Sequence, residues 1–408
     1  MMSESSSGEM YEFPVSATQA TFWYMYQMDP EGTAYTIPLG FRIKGDLDPE
    51  RLRQSLLAVV ARHEILRTRY CENGEGKLLQ IVSGTPELPF NVVPITGASE
   101  ADKQLALDQM LEAEFHQPIL IDREPPLRAR VYEQGDRDYV FLFVVHHIAV
   151  DHMAIGFLLE EMAENYRRLS RGERVVDDEP ELQYADYVVW QTEQKATADS
   201  EGSCEAWKKR LQPFSGVLEL PLSFARPRYQ TFEGHDRYFS FGQETTDRIR
   251  AFSRQRGLSL FSTMLACLMA VYQRYTRQTD IIVGTPFSDR NQDEQLERVM
   301  GCFINTLPLA AMLDEDISFD GLLAKINEVM MEAYDHQAVP LEDIVHELEL
   351  QRDVSRNPLF QVGFVFQEPP MSFGLPEAQV TVMPLRNFGA MYDLHTFMWD
   401  DGDRIGGL

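Results

Sequence analysis

The chain has 408 residues, 44% of them hydrophobic and 25% charged, with a net charge of −27 at pH 7. That length exceeds what one hydrophobic core organises and predicts two lobes of roughly 150 to 250 residues each. The acidity repels phosphate backbones and anionic lipid, which argues against nucleic acid or a membrane surface as a partner.

Residues 1–10 are polar and acidic and read as a disordered tail. Ser16 to Gln19 then has the form of a capping box, and Phe22, Met25 and Tyr26 follow at helical spacing. Residues 35–44 read as a strand ending at Gly45. Asp48-Pro49 supplies an N-cap and a first-turn proline for a helix carrying Leu52, Leu56 and Val59 on one face. Residues 65–70 read as a strand with Arg67 and Arg69 on one side. A helix spans 100–115, and strands at 127–132 and 139–145 are joined through Gln134-Gly135-Asp136. The second of these is apolar on both faces and so reads as a central, buried strand.

That strand runs into His146-His147-Ile148-Ala149-Val150-Asp151-His152, and a helix with Ile155, Leu158, Leu159 and Met162 follows. Residues 170–240 are richer in charge, proline and glycine, which places a lobe boundary near 175–190. Beyond it the pattern is a helix at 259–275, a strand at 280–284, a turn at Thr285-Pro286, a helix at 318–335 and a strand at 360–367. Both halves mix helices with strands, so the fold class is α/β. No apolar run approaches membrane-spanning length, and the start lacks an apolar targeting core. Cys71, Cys204, Cys267 and Cys302 are scattered without a CxxC pair, which fits a reducing compartment, read as the cytoplasm.

Two adjacent histidines where a buried strand meets a loop, with Asp151 four residues on, are the strongest chemical signal. Neighbouring strand side chains point oppositely, so one imidazole faces a cleft while the other packs inward. An isolated HHxxxD string also fits hydrogen-bonded core histidines with Asp151 capping the next helix. Metal binding is a third reading, since His146, His147, Asp151 and His152 are all possible ligands. It is weaker, because the metallo-hydrolase string HxHxDH needs a histidine where this chain has Ala149.

The company the string keeps changes the balance. PVSATQ at 14–19, RHEILR at 62–67, HHIAVD at 146–151, YADYVVW at 184–190, GCFINT at 301–306, HQAVPLE at 336–342 and RDVSRNPL at 352–359 occur in that order. Together they closely resemble the successive core motifs of the condensation domains of nonribosomal peptide synthetases, over nearly the whole chain. The resemblance implies two chloramphenicol-acetyltransferase-like lobes in a V-shaped pseudo-dimer with a central tunnel. The lobes are expected at 11–180, carrying HHxxxD, and at 181–408, carrying floor-loop and latch elements and lacking the family's last strand and helix.

The activity implied is acyl transfer from a carrier-bound thioester to an amine or hydroxyl, with His147 at the reaction centre as general base or as a positioning group. His146 is expected to be structural. Asp151 is expected to accept an arginine and shape the site, with Arg290 the first candidate partner and Arg67 the second. His152 and Asn305 are candidates to line the substrate tunnel, while Tyr184, Asp186 and Trp190 are expected to pack or to clamp the lobes together. No cofactor is expected to bind directly, phosphopantetheine arriving on acyl or peptidyl carrier proteins, which are the expected partners. The chain is expected to act as a monomer or as part of a larger synthetase.

The family usually has glycine directly after the motif aspartate, where this chain has His152. Glycine permits close backbone approach, so an imidazole there bears on acceptor choice. The competing class is a module of the same fold that recruits another protein without catalysing. In such modules the active-site histidine is commonly lost, whereas His147 and Asp151 are both retained here.

Overall fold

The computed structural model describes residues 9–195, 200–350, 353–385 and 389–408. Residues 1–8 of the expected tail and Arg352 of the last motif lie outside the described residues. Contacts divide the chain into two units, one of Met1–Thr197, Arg290–Phe303 and Pro370–Gly389, the other of Ala198–Asp289, Ile304–Pro369 and Ala390–Leu408.

In the first unit, β1 (Met10–Pro14) leads into α1 (Ala17–Met28), so Met10 belongs to a strand rather than to the expected tail. The α1 capping box is complete: Ser16 Oγ accepts from Gln19 N, and the Gln19 side chain accepts from Ser16 N. β2 (Thr36–Gly45) precedes α2 (Pro49–Arg62), whose N-cap Asp48 accepts from the Glu50 and Arg51 amides. The expected strand at 65–70 starts later. Residues 64–67 form a 3-10 turn that buries both Ile65 and Leu66, and β3 (Thr68–Glu72) follows it, so Arg67 and Arg69 do not share a strand face.

Next come β4 (Leu78–Ser83), β5 (Phe90–Pro94), α3 (Glu100–Phe115), β6 (Leu127–Gly135) and β7 (Asp138–His146). α4 (His152–Ser170) and α5 (Tyr184–Lys195) complete the continuous part. A five-stranded sheet is ordered Ala378–Met383, β2, β7, β6, β5, and β1, β4 and β3 form a second, three-stranded sheet. β7 lies mid-sheet with residues 140–146 buried, as its unbroken apolar run requires. α2 packs on α4 through the faces carrying Leu52, Leu56, Leu158 and Met162. The unit extends past the expected break at 180/181 because Tyr184, Tyr187 and Val188 of α5 belong to this core.

The second unit holds α6 (Ser200–Leu211), β8 (Phe239–Ser240), α7 (Gln243–Gln255), α8 (Leu260–Thr276), β9 (Asp280–Ser288) and β10 (Ile304–Met312). It continues with α9 (Phe319–Asp335), α10 (Leu341–Glu347) and β11 (Val362–Gln367). Counting Ala378–Met383 as β12, the last strands are β13 (Leu394–Asp400) and β14 (Ile405–Gly407). The six-stranded sheet runs β10, β9, β11, β13, β14, β8, with α8 and α9 packed on its buried face.

Thr285-Pro286 is not a turn. β9 continues through it, paired with β10 from Asp280↔Met312 to Ser288↔Ile304. The proline is tolerated because the ladder pairing of β9 with β11 is at Gly284, so Pro286 owes β11 no backbone donor. Among the described residues no helix is long and apolar enough to cross a membrane.

Candidate active site

β7 delivers the two histidines. His146 is its last residue, paired with Thr36 of β2, and its ring turns inward, where Nδ1 accepts from the Ile148 amide at 3.1 Å. Burial pushes its pKa down to about 3, with the neighbouring His147 adding to the shift. It is therefore a neutral, hydrogen-bonded core imidazole at any physiological pH.

His147 is the first residue beyond the strand and is held to β2's entry by its amide, which donates to the Tyr35 carbonyl at 2.8 Å. Its half-buried ring stacks on Phe22 of α1, centroids 5.4 Å apart and planes 20° from parallel. Nδ1 lies 3.8 Å from the sulfur of Cys302. Desolvation lowers its pKa, opposed by backbone carbonyls of His147 and Val150 and by the Asp151 charge, so the ring is neutral near pH 7.

Asp151 does two jobs at once. As N-cap of α4 its Oδ1 accepts from the Ala154 amide at 2.8 Å. The same carboxylate receives Arg290 through Nη2 at 3.1 Å to both oxygens and through Nε at 3.3 Å, and takes the Phe303 amide at 3.1 Å. The paired side chains are 2% and 5% exposed. Arg290 also donates to the carbonyls of Leu296, Val299 and Gly301, and its guanidinium sits 4.1 Å over the Phe303 ring. The pair thereby fastens residues 290–303 to the loop between β7 and α4, and no lone pair of Asp151 is left over for a substrate.

Arg67, the second expected partner, is placed elsewhere. It donates to the Ser83 carbonyl and pairs with Glu64 at 3.6 Å, because the 3-10 turn carries it toward β4. His152 opens α4 as a half-buried first-turn residue. Asn305 belongs to the second unit, in β10, where its Nδ2 donates to the carbonyls of Gln337 and Val339, both at 2.7 Å. It ties that strand to the turn after α9, and its amide donors are engaged there. Among the described residues no three His, Cys, Asp or Glu side chains gather as a ligand set for a metal.

Sequence reasoning does not reach two neighbours of His147. Phe22 stands out in the chain only as a face residue of α1, and Cys302 only as one of four scattered cysteines and as a member of GCFINT. The segment bearing Cys302 is held by Tyr184 of α5, whose buried hydroxyl donates to the Cys302 carbonyl at 2.6 Å and lies 3.1 Å from Ser16 Oγ. Gly301 is required beside it, since a Cβ there would stand 2.0 Å from the Tyr184 ring. Phe303 fills the space between Tyr184, Tyr187 and the Arg290 guanidinium. All of these Tyr184 contacts lie inside the first unit.

The family model for the condensation domain matches residues 10–403. The chain is 36% identical over 358 residues to one of the linear gramicidin synthase proteins of Brevibacillus parabrevis, and 30% identical over 398 residues to malpinin synthetase of Mortierella alpina. These matches take in 88% and 97% of this chain but only 7% and 5% of those proteins. Among solved structures, the X-domain from teicoplanin biosynthesis matches with a TM-score of 0.84 and 26% identity, over 97% of this chain and 88% of that one. The first condensation domain of the calcium-dependent antibiotic synthetase matches in fold, with a TM-score of 0.80 and 18% identity over 97% and 91%. The chain belongs to the condensation-domain family of nonribosomal peptide synthesis, a mixed α/β fold shared with those structures.

Proposed function

We propose that this chain is a catalytically competent condensation domain, forming an amide or ester from a carrier-bound acyl thioester and a nucleophile, with His147 at the reaction centre. The observation that carries the reading is the division of labour at the end of β7. His146 is buried and hydrogen-bonded to the Ile148 amide, and Asp151 is buried and fully engaged by Arg290 and backbone amides, while His147, neutral like His146, is the one of the three that keeps partial exposure.

A thioester is already activated, so the protein has to place the acceptor beside the carbonyl carbon and manage one proton. The amine or hydroxyl attacks that carbon, a tetrahedral oxyanion forms, and its collapse breaks the C–S bond and releases the phosphopantetheine thiolate of the donor carrier. With Nδ1 turned to the buried Cys302 side, Nε2 is the nitrogen that meets the acceptor, either taking its proton as base and passing it on to the leaving thiolate, or orienting the attacking group, whose proton is then lost directly to the thiolate. No step calls for a nucleotide or a resident metal. Acyl and peptidyl carrier proteins are the proposed partners, and the two contact units are read as the two lobes expected from the motifs.

The likeness to the teicoplanin X-domain, also solved in complex with OxyB, favours one second reading: a module that recruits a partner protein and does not catalyse. His147 with a neutral ring and a fully supported Asp151 weigh toward catalysis. Intact-protein mass spectrometry of an acceptor carrier incubated with an acyl-thioester donor carrier separates the two. A condensed product with the wild type and a loss of about 10²–10⁴ in rate for His147→Ala support the proposal. Equal turnover by both proteins discards the mechanism, and absence of product over a broad substrate panel, with tight binding of a partner protein, supports recruitment.

A further inference from the structure

We propose that Phe22 and Cys302 are positioning residues for His147, the phenyl ring fixing the plane of the imidazole and the sulfur marking the side on which Nδ1 is held. The inference rests on the catalytic reading above and extends it to two side chains that would act through His147. Phe22 lies nearly parallel to the His147 ring at a centroid distance of 5.4 Å, inside the range for offset stacking. The Phe22 ring is itself held by Tyr35, in a T-shaped contact with centroids 5.3 Å apart. Cys302 is completely buried, so its 3.8 Å approach to Nδ1 pins that nitrogen to the interior.

Both contacts hang on one hydroxyl. Tyr184 bridges Ser16, the N-cap of α1, and the carbonyl of Cys302. The α1 face that presents Phe22 is anchored again one turn earlier, where buried Gln19 donates to Tyr70 at 3.0 Å and to Gln80 at 3.3 Å. A shift of α1 or of residues 301–303 would therefore rotate or translate the imidazole directly. Displacing a reacting group by about 1 Å can cost about 10²-fold in rate, which makes this scaffold functional as well as structural.

The charged and titratable groups of the elements packed around His147 bear on how it titrates. His146 comes from β7 and Asp151, paired with Arg290, from the start of α4, where His152 also sits. Cys302 and Tyr184 come from the packed segment and α5, and Tyr35 from the entry to β2. Against that fixed background Phe22 contributes an aromatic face, which favours the imidazolium over the neutral ring by cation–π attraction. Leucine at 22 keeps the apolar cover and removes only that face.

The test is a titration of the His147 ring by NMR, assigned by difference from His147→Ala, alongside pH profiles of kcat and kcat/KM. Phe22→Leu is expected to lower the His147 pKa by about half a unit and kcat by two- to tenfold, with KM unchanged. Phe22→Tyr restores both. Cys302→Ala is expected to lower kcat with KM unchanged, and Tyr184→Phe to combine the two effects while the protein still folds. Phe22→Leu and Cys302→Ala that superimpose on the wild type in pKa and in kcat overturn the proposal. Because the ring is titrated without substrate, that failure is distinct from inactivity of the wild type, which would instead count against the catalytic reading.

Discussion

Replacing Arg290 by methionine tests what the Asp151 pair is for. The two side chains are 2% and 5% exposed, so the pair belongs with desolvated ion pairs and not with surface pairs worth a few tenths of a kcal/mol. Removing one partner of such a pair costs about 3–5 kcal/mol, because the carboxylate stays buried without its counter-charge. Part of that is offset here, since Asp151 keeps the Ala154 and Phe303 amides. The carbonyls of Leu296, Val299 and Gly301 lose a donor in exchange, adding about 1 kcal/mol for each that stays dry. A net loss of about 4 kcal/mol is a large part of the ~5–15 kcal/mol that stabilises a typical domain. For a unit of some 200 residues it lowers the melting temperature by roughly 10 °C. Thermal and urea denaturation of Arg290→Met, Asp151→Asn and the double variant close the cycle, with the double variant expected to lose less than the sum of the singles. An Arg290→Met protein that melts within about 3 °C of the wild type and yet turns over no substrate would refute the structural role and place the pair in the chemistry.

Three further outcomes follow from the geometry. His146 has a folded pKa of about 3 against an ordinary 6.5, so the unfolded chain binds a proton that the folded one refuses. Its contribution is whole above pH 6.5 and is lost as pH falls toward 3. Urea titrations at about pH 7.5 and 5.5 should show the wild type losing about 1.4 kcal/mol more than His146→Gln over that interval. Gly301→Ala puts a methyl into the Tyr184 ring and should cost about 1–3 kcal/mol by denaturation, relieved in part by Tyr184→Leu. Asn305→Ala strips the donors from Gln337 and Val339, and a fall of about 1–3 kcal/mol in stability with unchanged KM would mark it as a tie within β10 and not as a substrate contact.

Local signals in the chain suffice for the elements that close their hydrogen bonds within a few residues. The Ser16 capping box, the Asp48 cap with its proline and the unbroken apolar run of β7 each carry their own explanation in neighbouring side chains. The mixed α/β class and the family follow from seven short motifs in order, and the HHxxxD string marks where the chemistry lies. Thr285-Pro286 has the local composition of a turn, yet its continuation as strand depends on β10, a partner that no local pattern announces.

Tertiary structure alone decided what surrounds the imidazole. Asp151 and Arg290 are 139 residues apart in the chain, and Cys302 stands 155 residues from His147. Either Arg290 or Arg67 has the chemistry to pair with Asp151, but the 3-10 turn at 64–67 sends Arg67 to Ser83 while residues 290–303 fold back onto the first unit. Periodicity records which face of an element is buried, and contacts between elements depend on how those faces meet in space. Phe22 against His147 is such a contact, set by the packing of α1 and by one tyrosine hydroxyl.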